Sequence, residues 1–503
     1  MNELIRIHPS DSVAVALRPL KAGASVPVSG AGSSVTLRED IAMGHKAALK
    51  DIAAGEKVIK YGFPIGEATA AIPRGGHVHS HNLRTLLSSG LTYAYHPTHP
   101  SLPKGAPAAF SGYPRADGRA GIRNELWIIP TVGCVNDVAE ALAKKAQSLT
   151  GGSVENVRAL PHPYGCSQLG DDQEHTRTVL ARFAAHPNAG GVLVLGLGCE
   201  NSGIEEIRKR MGDPSGGPLA GYDPERVRFL ISQDVEDEVE EGFRLLQELA
   251  ARMQKDVRVP CDTSKLVVGL KCGGSDGLSG ITANPTIGGF SDLLIARGGS
   301  TILTEVPEMF GAETILMDRC EDSAVFEKTV KLINDFKAYF ESCGQPVYEN
   351  PSPGNKAGGI TTLEDKALGC TQKSGTAPVV DVLPYGGRVT KPGLSLLSAP
   401  GNDLVASTAL AAAGAQVVLF STGRGTPFGC PVPTIKISSN SALAAHKAKW
   451  IDFDAGTLVE GGTLPERAQA LFDFVLEVAG GKRTHNEENG FQGMAIFKTG
   501  TTL

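Results

Sequence analysis

From residue 113 onward short apolar runs alternate with amphipathic stretches, and this alternation restricts the fold more than any other feature of the chain. Residues 125–131, 191–195 and 226–232 each read as a buried strand, with helical stretches at 137–149 and 236–253. Pro260 and polar residues interrupt the pattern at 257–264. A second series then begins at 266–270 and includes strands at 379–383, 393–398 and 416–421. Strands that alternate with helices pack as a parallel sheet covered on its faces. A chain of 503 residues exceeds one ordinary core. The reading is a multidomain α/β protein, with two α/β domains of mainly parallel sheet at 113–258 and 259–503.

The first hundred residues have a different texture. Residues 12–17, 34–37 and 57–61 are short β-like segments between glycine turns, and Gly44-His45-Lys46 opens a brief helical stretch. A small β domain over 1–90 is expected, followed by a linker at 91–112 that is rich in Pro, His, Ala and Tyr. The 61 glycines and 31 prolines suit a chain with many tight turns. A net charge of −6 without a basic patch points away from nucleic acid. No apolar run reaches the ~18 residues of a membrane span, and residues 1–10 lack a secretory pattern. The nine cysteines, an odd number, then read as reduced thiols in a cytoplasmic protein.

Ligands of open α/β sheets bind at the carboxyl ends of strands. Cys134, Cys166, Cys199 and Cys272 all fall at such turns beside glycine, so the four can face one cleft; each can equally be a small residue packing a tight turn. None forms a CxxC pair, which argues against a zinc ribbon and leaves an iron–sulfur cluster from dispersed thiolates open. His77, His79 and His81 alternate along one segment, and in an extended chain their imidazoles project from one face, which suits a transition metal; a solvated loop end is the bland alternative. Three glycine-rich stretches look like ligand cradles. Residues 272–280 carry Ser275 and Asp276, 351–359 carry Lys356, and 421–427 carry Arg424 and Thr426. A glycine-rich nest can hold a carboxylate, and Arg424 can fork onto one. None has the P-loop or GxGxxG spacing.

Taken in order, residues 44–82 resemble the SAF module, a β-clip fold. Residues 118–136, 164–172, 196–201, 272–285, 350–373 and 422–429 resemble the signature blocks of the altronate and galactarate dehydratase family. The resemblance runs over the whole chain, and the segments 77–82 and 370–373 look like the altronate type. It implies a hydro-lyase that removes water from D-altronate to give 2-keto-3-deoxy-D-gluconate in hexuronate (galacturonate) catabolism, with ferrous iron or manganese as cofactor; the iron–sulfur cluster that the dispersed cysteines leave open is the alternative. The demands of that reaction give the expected roles. Metal ligands are His77 and His79, completed by Glu200 or by Cys166, Cys199 or Cys272. His79, His81, His162 or Lys373 serve as base and acid. Ser275, Asp276, Lys356, Arg424 and Thr426 bind a small aldonate. Galactarate or another sugar acid is the alternative substrate. The chain can also form a homo-oligomer, the N-terminal module can be regulatory rather than catalytic, and a non-catalytic sugar-acid-binding protein is the remaining reading.

Overall fold

In the computed structural model, residues 3–88, 92–212 and 223–503 are described. The expected boundary at residues 90 and 91 lies outside them. The N-terminal part is built from a six-stranded sheet in the order Ser33–Thr36, Ser25–Ser29, Leu4–Ile5, Val13–Ala16, Lys46–Ala48, His77–Val78, and a three-stranded sheet of Lys57–Lys60, Phe63–Ala68 and Leu83–Arg84. The strands expected at 12–17, 34–37 and 57–61 are present. The helical stretch expected at Gly44-His45-Lys46 is not. Gly44 has φ +80°, and Lys46–Ala48 forms a strand antiparallel to Val13–Ala16, with Ala14 opposite Ala47. Two small alanines fit a buried strand between two others, and that pairing overrides their helical propensity.

The sequence between this part and the first α/β unit is more ordered than a linker. Tyr93 and Tyr95 donate hydroxyl hydrogen bonds of 2.6 Å to Glu313 and to the Cys320 carbonyl. Ala109–Pro114 pairs antiparallel with Val259–Asp262. The interruption around Pro260 is therefore an edge strand, and the residues that close the linker supply its partner. An edge strand tolerates proline because its outward side has no neighbour to donate to.

The first α/β unit holds a four-stranded parallel sheet in the order Asn156–Ala159, Glu125–Pro130, Ala189–Gly196, Val227–Ile231. Asn156–Ala159 was illegible as a strand because it is a short edge element with an Asn and an Arg. Helix Glu238–Met253 begins where Asp237 accepts the backbone N–H groups of Val239 and Glu240, at 3.0 and 2.9 Å. The second α/β unit holds a seven-stranded parallel sheet in the order Val379–Leu383, Gly393–Leu397, Ser300–Leu303, Val267–Cys272, Val417–Thr422, Thr434–Ser438, Phe453–Asp454. Strand order reverses at the central strand Val267–Cys272, which makes its carboxyl end the natural crevice. One hydrophobic core joins the two sheets, from Trp127, Phe183 and Val194 to Ile302, Leu410 and Val418. The alanine-rich helix Asp403–Ala412 lies within it, its small side chains permitting close approach. No helix among the described residues is long and apolar enough to cross a membrane.

A buried charge cluster fixes the N-terminal module to the second α/β unit. Lys46 Nζ donates to the Gly359 carbonyl, Thr361 Oγ1 and Asp365 Oδ2, at 2.6, 2.8 and 2.8 Å. Lys60 Nζ donates to Asp365 Oδ1 at 2.8 Å. All three charged side chains are essentially inaccessible to solvent. Burial lowers Lys46 to about 8 against the pull of Asp365. Removing the carboxylate alone leaves two buried ammonium groups unpaired, a change that costs about 3–5 kcal/mol. Asp365→Asn should therefore lower the urea midpoint sharply and release the N-terminal module to limited proteolysis; an unchanged midpoint and digestion pattern would refute the lock.

Candidate active site between the N-terminal module and the seven-stranded sheet

The central strand ends on Lys271 and Cys272, both buried. Following the adjacent strand Ser300–Leu303, the chain turns through Glu305, a buried non-glycine residue held in the left-handed region (φ 67°, ψ 58°). Such strain persists only where the surroundings impose it. Here Glu305 accepts the backbone N–H of Cys272 at 2.9 Å, pairs with Lys271, and lies 3.7 Å from Lys373 Nζ. One turn later Glu308 Oε1 meets Lys366 Nζ at 2.8 Å. Its other oxygen lies 3.0 Å from Cys272 Sγ and 3.2 Å from Cys370 Sγ, and the two sulfurs are 3.5 Å apart.

The ionisation follows from these neighbours. The hydrogen bond from Cys370, helped by Lys373 and Lys271 and opposed by burial, lowers the Cys272 thiol to about 6. Cys370 is pushed well above its usual range by the same bond and by burial. The pair thus holds one thiolate and one thiol. Burial works against the Lys373 ammonium, but Cys272, Cys370 and the two glutamates outweigh it and raise its pKa. The ammonium form of Lys373 is favoured, which fits the acid half of the base-or-acid role expected of it. Cys272, Glu308 and Cys370 are the one group of three His, Cys, Asp or Glu donors among the described residues whose ligand atoms lie within 4.8 Å of one another. Donors at these separations can share an ion with bonds of about 2.0–2.3 Å.

Beside Cys370 is a narrow cavity whose lining includes Ser275, Asn284 and Lys366, together with Lys60 and Tyr61 from the N-terminal module. Tyr61 holds φ 60° and packs its hydroxyl against Gly280, where a Cβ would stand 2.3 Å from that oxygen. Burial raises the phenol to about 12, so it stays neutral. Ser275 Oγ lies in this lining, buried and with no hydrogen-bond partner.

The three glycine-rich loops singled out in the sequence do meet here. Gly277 N–H donates to the Gly358 carbonyl at 2.7 Å, and the N–H groups of Gly423 and Arg424 donate to Gly274 at 3.1 Å. Exposed Arg424 reaches the Gly354 carbonyl at 3.5 Å, near exposed Lys356. Thr426 Oγ1 accepts the Phe428 N–H at 3.2 Å and closes its own turn. Asp276 corrects the expectation of an open carboxylate cradle. Its own buried carboxylate fills the nest, accepting from the N–H groups of Leu278 and Ser279 (3.1 and 2.9 Å) and from the hydroxyls of Ser279 and Ser439 (2.8 and 2.9 Å).

The histidines gather at the same junction, around a member the sequence reading missed. His45 lies 5.1 Å from His77 and 4.9 Å from His79 between ring centroids, and His77 lies 5.4 Å from exposed His81. Burial first, then the neighbouring imidazoles, lower His77 to about 3; burial lowers His79 to about 4. Both rings are neutral at pH 7. His79 uses Nε2 on the Lys356 carbonyl (2.9 Å) and Nδ1 on Ser80 N–H (2.6 Å), so it has no nitrogen left for a metal. His45 Nε2 donates to the Ala357 carbonyl at 3.3 Å, which leaves its Nδ1 to accept from His77 Nε2 at 3.0 Å. His77 Nδ1 is then an unprotonated acceptor.

The remaining expected residues lie elsewhere. His162 is buried in the first α/β unit, with Nε2 on the Pro130 carbonyl (2.8 Å) and Nδ1 accepting from Tyr164 N–H (3.2 Å), so no ring nitrogen is free for proton transfer. Glu200 spends its carboxylate on Thr131 Oγ1 and on the N–H groups of Leu197 and Gly198, at 2.6, 3.2 and 2.7 Å. It does not complete a shell around His77 and His79. Cys134, Cys166 and Cys199 belong to the four-stranded sheet and not to the Cys272 group. Sequence signals for the missed residues were faint: Glu305 and Glu308 follow an unpredicted strand, and His45 stood alone.

The close packing of the junction makes a test. A Cβ on Gly277 would stand 1.9 Å from the Gly44 carbonyl oxygen, so Gly277→Ala must part the N-terminal module from the 272–280 loop. Overpacking of this kind costs about 1–3 kcal/mol. Thermal unfolding should register it, and an unchanged Tm would show that the loops are not held this closely.

Comparison with known proteins agrees with this architecture. The chain matches the models of the altronate/galactarate dehydratase SAF domain over residues 2–86, the D-galactarate dehydratase/altronate hydrolase second domain over 112–254, and the D-galactarate/altronate dehydratase C-terminal domain over 263–502. It is 56% identical to altronate dehydratase of Escherichia coli strain K12 and 53% identical to that of Bacillus subtilis strain 168, each over 100% of both chains. It is 35% identical to galactarate dehydratase (L-threo-forming) of E. coli, over 98% of this chain and 96% of that protein. With its three-part order and its strand-end crevice, the chain belongs to the D-galactarate/altronate dehydratase family of hydro-lyases.

Proposed function

We propose that this protein converts D-altronate to 2-keto-3-deoxy-D-gluconate and water in cytoplasmic hexuronate breakdown, with ferrous iron or manganese at Cys272, Cys370 and Glu308. The observation that carries the substrate is the gap between 56% and 53% identity to two altronate dehydratases and 35% to a galactarate dehydratase. Two sulfurs and one carboxylate oxygen converging within 3.5 Å support the metal. A divalent ion supplies Lewis-acid polarisation of substrate oxygens and stabilises the negative charge that develops when the proton next to the carboxylate leaves.

The chain's own groups then have separate tasks. Lys366 and Lys373 place two permanent positive charges in a buried setting, where they stabilise an enediolate more strongly than in water. Ser275 Oγ, buried and without a partner, can hydrogen-bond a substrate hydroxyl only once the cavity opens, because in this structure it has room for about one water molecule. Arg424 and Lys356, at the rim, attract the sugar-acid carboxylate. His77 Nδ1 is the unprotonated nitrogen at this junction and takes the C2 proton; His81 beside it exchanges that proton with solvent. The C3 hydroxyl leaves as water with the proton carried by His77, and the enol so formed becomes the keto acid unaided.

Anaerobic protein loaded with ferrous iron should turn over D-altronate and leave galactarate almost untouched, with the keto-deoxy acid as readout. Turnover of galactarate alone would keep the reaction class and overturn the substrate. Cys272→Ser, Cys370→Ser and Glu308→Gln should each lower bound iron, and full iron occupancy in all three would dismiss this centre. Because the Cys272 thiolate takes up a proton below about pH 6, iron affinity should fall as pH drops through that value. His77→Gln should keep its iron and lose about 10²–10⁴-fold in kcat; wild-type kcat would exclude it as the base.

A further inference from the structure

Seven cysteines stand outside the site described above, and three of them leave one sheet at the same end. Cys134 follows strand Glu125–Pro130, Cys166 follows Asn156–Ala159, and Cys199 follows Ala189–Gly196. These strands are adjacent and parallel, so all three thiols leave the sheet at the same end. Each cysteine is preceded by glycine. The loops are bound to one another: Gly133 N–H donates to the Tyr164 carbonyl at 2.9 Å, and Ser202 N–H donates to the Gly165 carbonyl at 3.0 Å. Thr131 Oγ1 donates to Glu200 at 2.6 Å, and Cys166 Sγ lies 3.5 Å from Asn201 Oδ1. Gly165 makes this possible. Its φ is +106°, and a Cβ there would stand 2.0 Å from the Thr131 carbonyl oxygen. Ser167, just beyond Cys166, is held at φ 57°, strain that a plain surface turn does not need.

Packing does not account for these thiols. Cys261, Cys320 and Cys430 are buried, as structural cysteines usually are; Cys134 and Cys199 are exposed and Cys166 is half-buried, and unlike exposed Cys343 at the end of a helix they share one set of interlocked loops. Nor does a single ion fit: the three sulfurs do not all lie within 4.8 Å of one another. A polynuclear cluster spaces its thiolates more widely, because a cage of iron and sulfide stands between them. The one carboxylate in these loops, Glu200, is already committed to Thr131 and to backbone N–H groups.

We propose that Cys134, Cys166 and Cys199 hold a cubane iron–sulfur cluster, with three thiolates on three irons and the fourth iron open to water or a small oxygen ligand. This site is separate from the Cys272 centre and independent of the substrate assigned above. Full-length protein reconstituted anaerobically with ferrous iron and sulfide, then desalted, should retain about four acid-labile sulfides per chain. It should also show visible thiolate-to-iron absorption and an EPR signal on reduction with dithionite. Cys134→Ser, Cys166→Ser and Cys199→Ser should each lose most of the sulfide, while Cys272→Ser and Cys370→Ser keep it. Mass-spectrometric mapping with iodoacetamide gives a readout that needs no variant: in reconstituted wild-type protein the three thiols should be protected together. Absence of labile sulfide, sulfide retained by the triple variant, or metal bound there without sulfide would each overturn the cluster. Altronate turnover persisting after loss of the cluster would leave the dehydratase reading intact.

Discussion

Two ammonium groups and one carboxylate, all buried, hold this molecule in its working arrangement. Lys46 and Lys60 belong to the N-terminal module, and Asp365 belongs to helix Leu363–Cys370 of the second α/β unit. The desolvation of these charges is recovered only when the partners meet, so the docked position is sharply specified. Everything at the junction inherits that position. Tyr61 enters the cavity because it follows Lys60, and His45 meets the 353–357 helix because it precedes Lys46. Helix Leu363–Cys370 delivers Asp365 to the module, Lys366 to Glu308 and Cys370 to Cys272.

Charge balance makes the site reactive. Around the two thiols stand Lys271, Lys366 and Lys373, facing Glu305, Glu308 and, on Lys271, Asp403, so three positive and three negative groups meet in a water-poor setting. The hydrogen bond from Cys370, with Lys373 and Lys271 close by, favours the Cys272 thiolate, the form that binds metal. The strained backbone at Glu305 belongs to the same arrangement, since its carboxylate must reach both the Cys272 N–H and Lys271. On the module side, the histidines are kept neutral by burial and by one another, and their hydrogen-bond chain to Ala357 directs a lone pair of His77 outward.

Residues 267–272 and 417–422 announce themselves as strands by apolar runs, and the residues beyond them as ligand loops by their glycines. These features were legible because hydrophobic periodicity and turn chemistry are local. The histidine segment was legible for the same reason, although alternation along an extended chain put His79 among the ligands, and both its nitrogens turned out to be engaged by backbone groups. Ser300–Leu303 was missed because it is four residues long and only two of them, Ile302 and Leu303, are apolar, although Gly298-Gly299 precede it, and with it went Glu305 and Glu308. Lys46, Lys60 and Asp365 look in sequence like ordinary surface charges.

The sequence by itself determined the α/β class, the small β module, the family and the cysteine-bearing strand ends, because each is written in patterns a few residues to tens of residues long. The tertiary structure alone decided which of those cysteines meet: Cys272 is joined by Cys370, 98 residues away, and by Glu308, 36 residues away, while Cys134, Cys166 and Cys199 stay together on another sheet. The reason is that strand order in a doubly wound sheet is set by crossover connections and core packing, and the charges that meet across it are fixed by burial rather than by spacing along the chain.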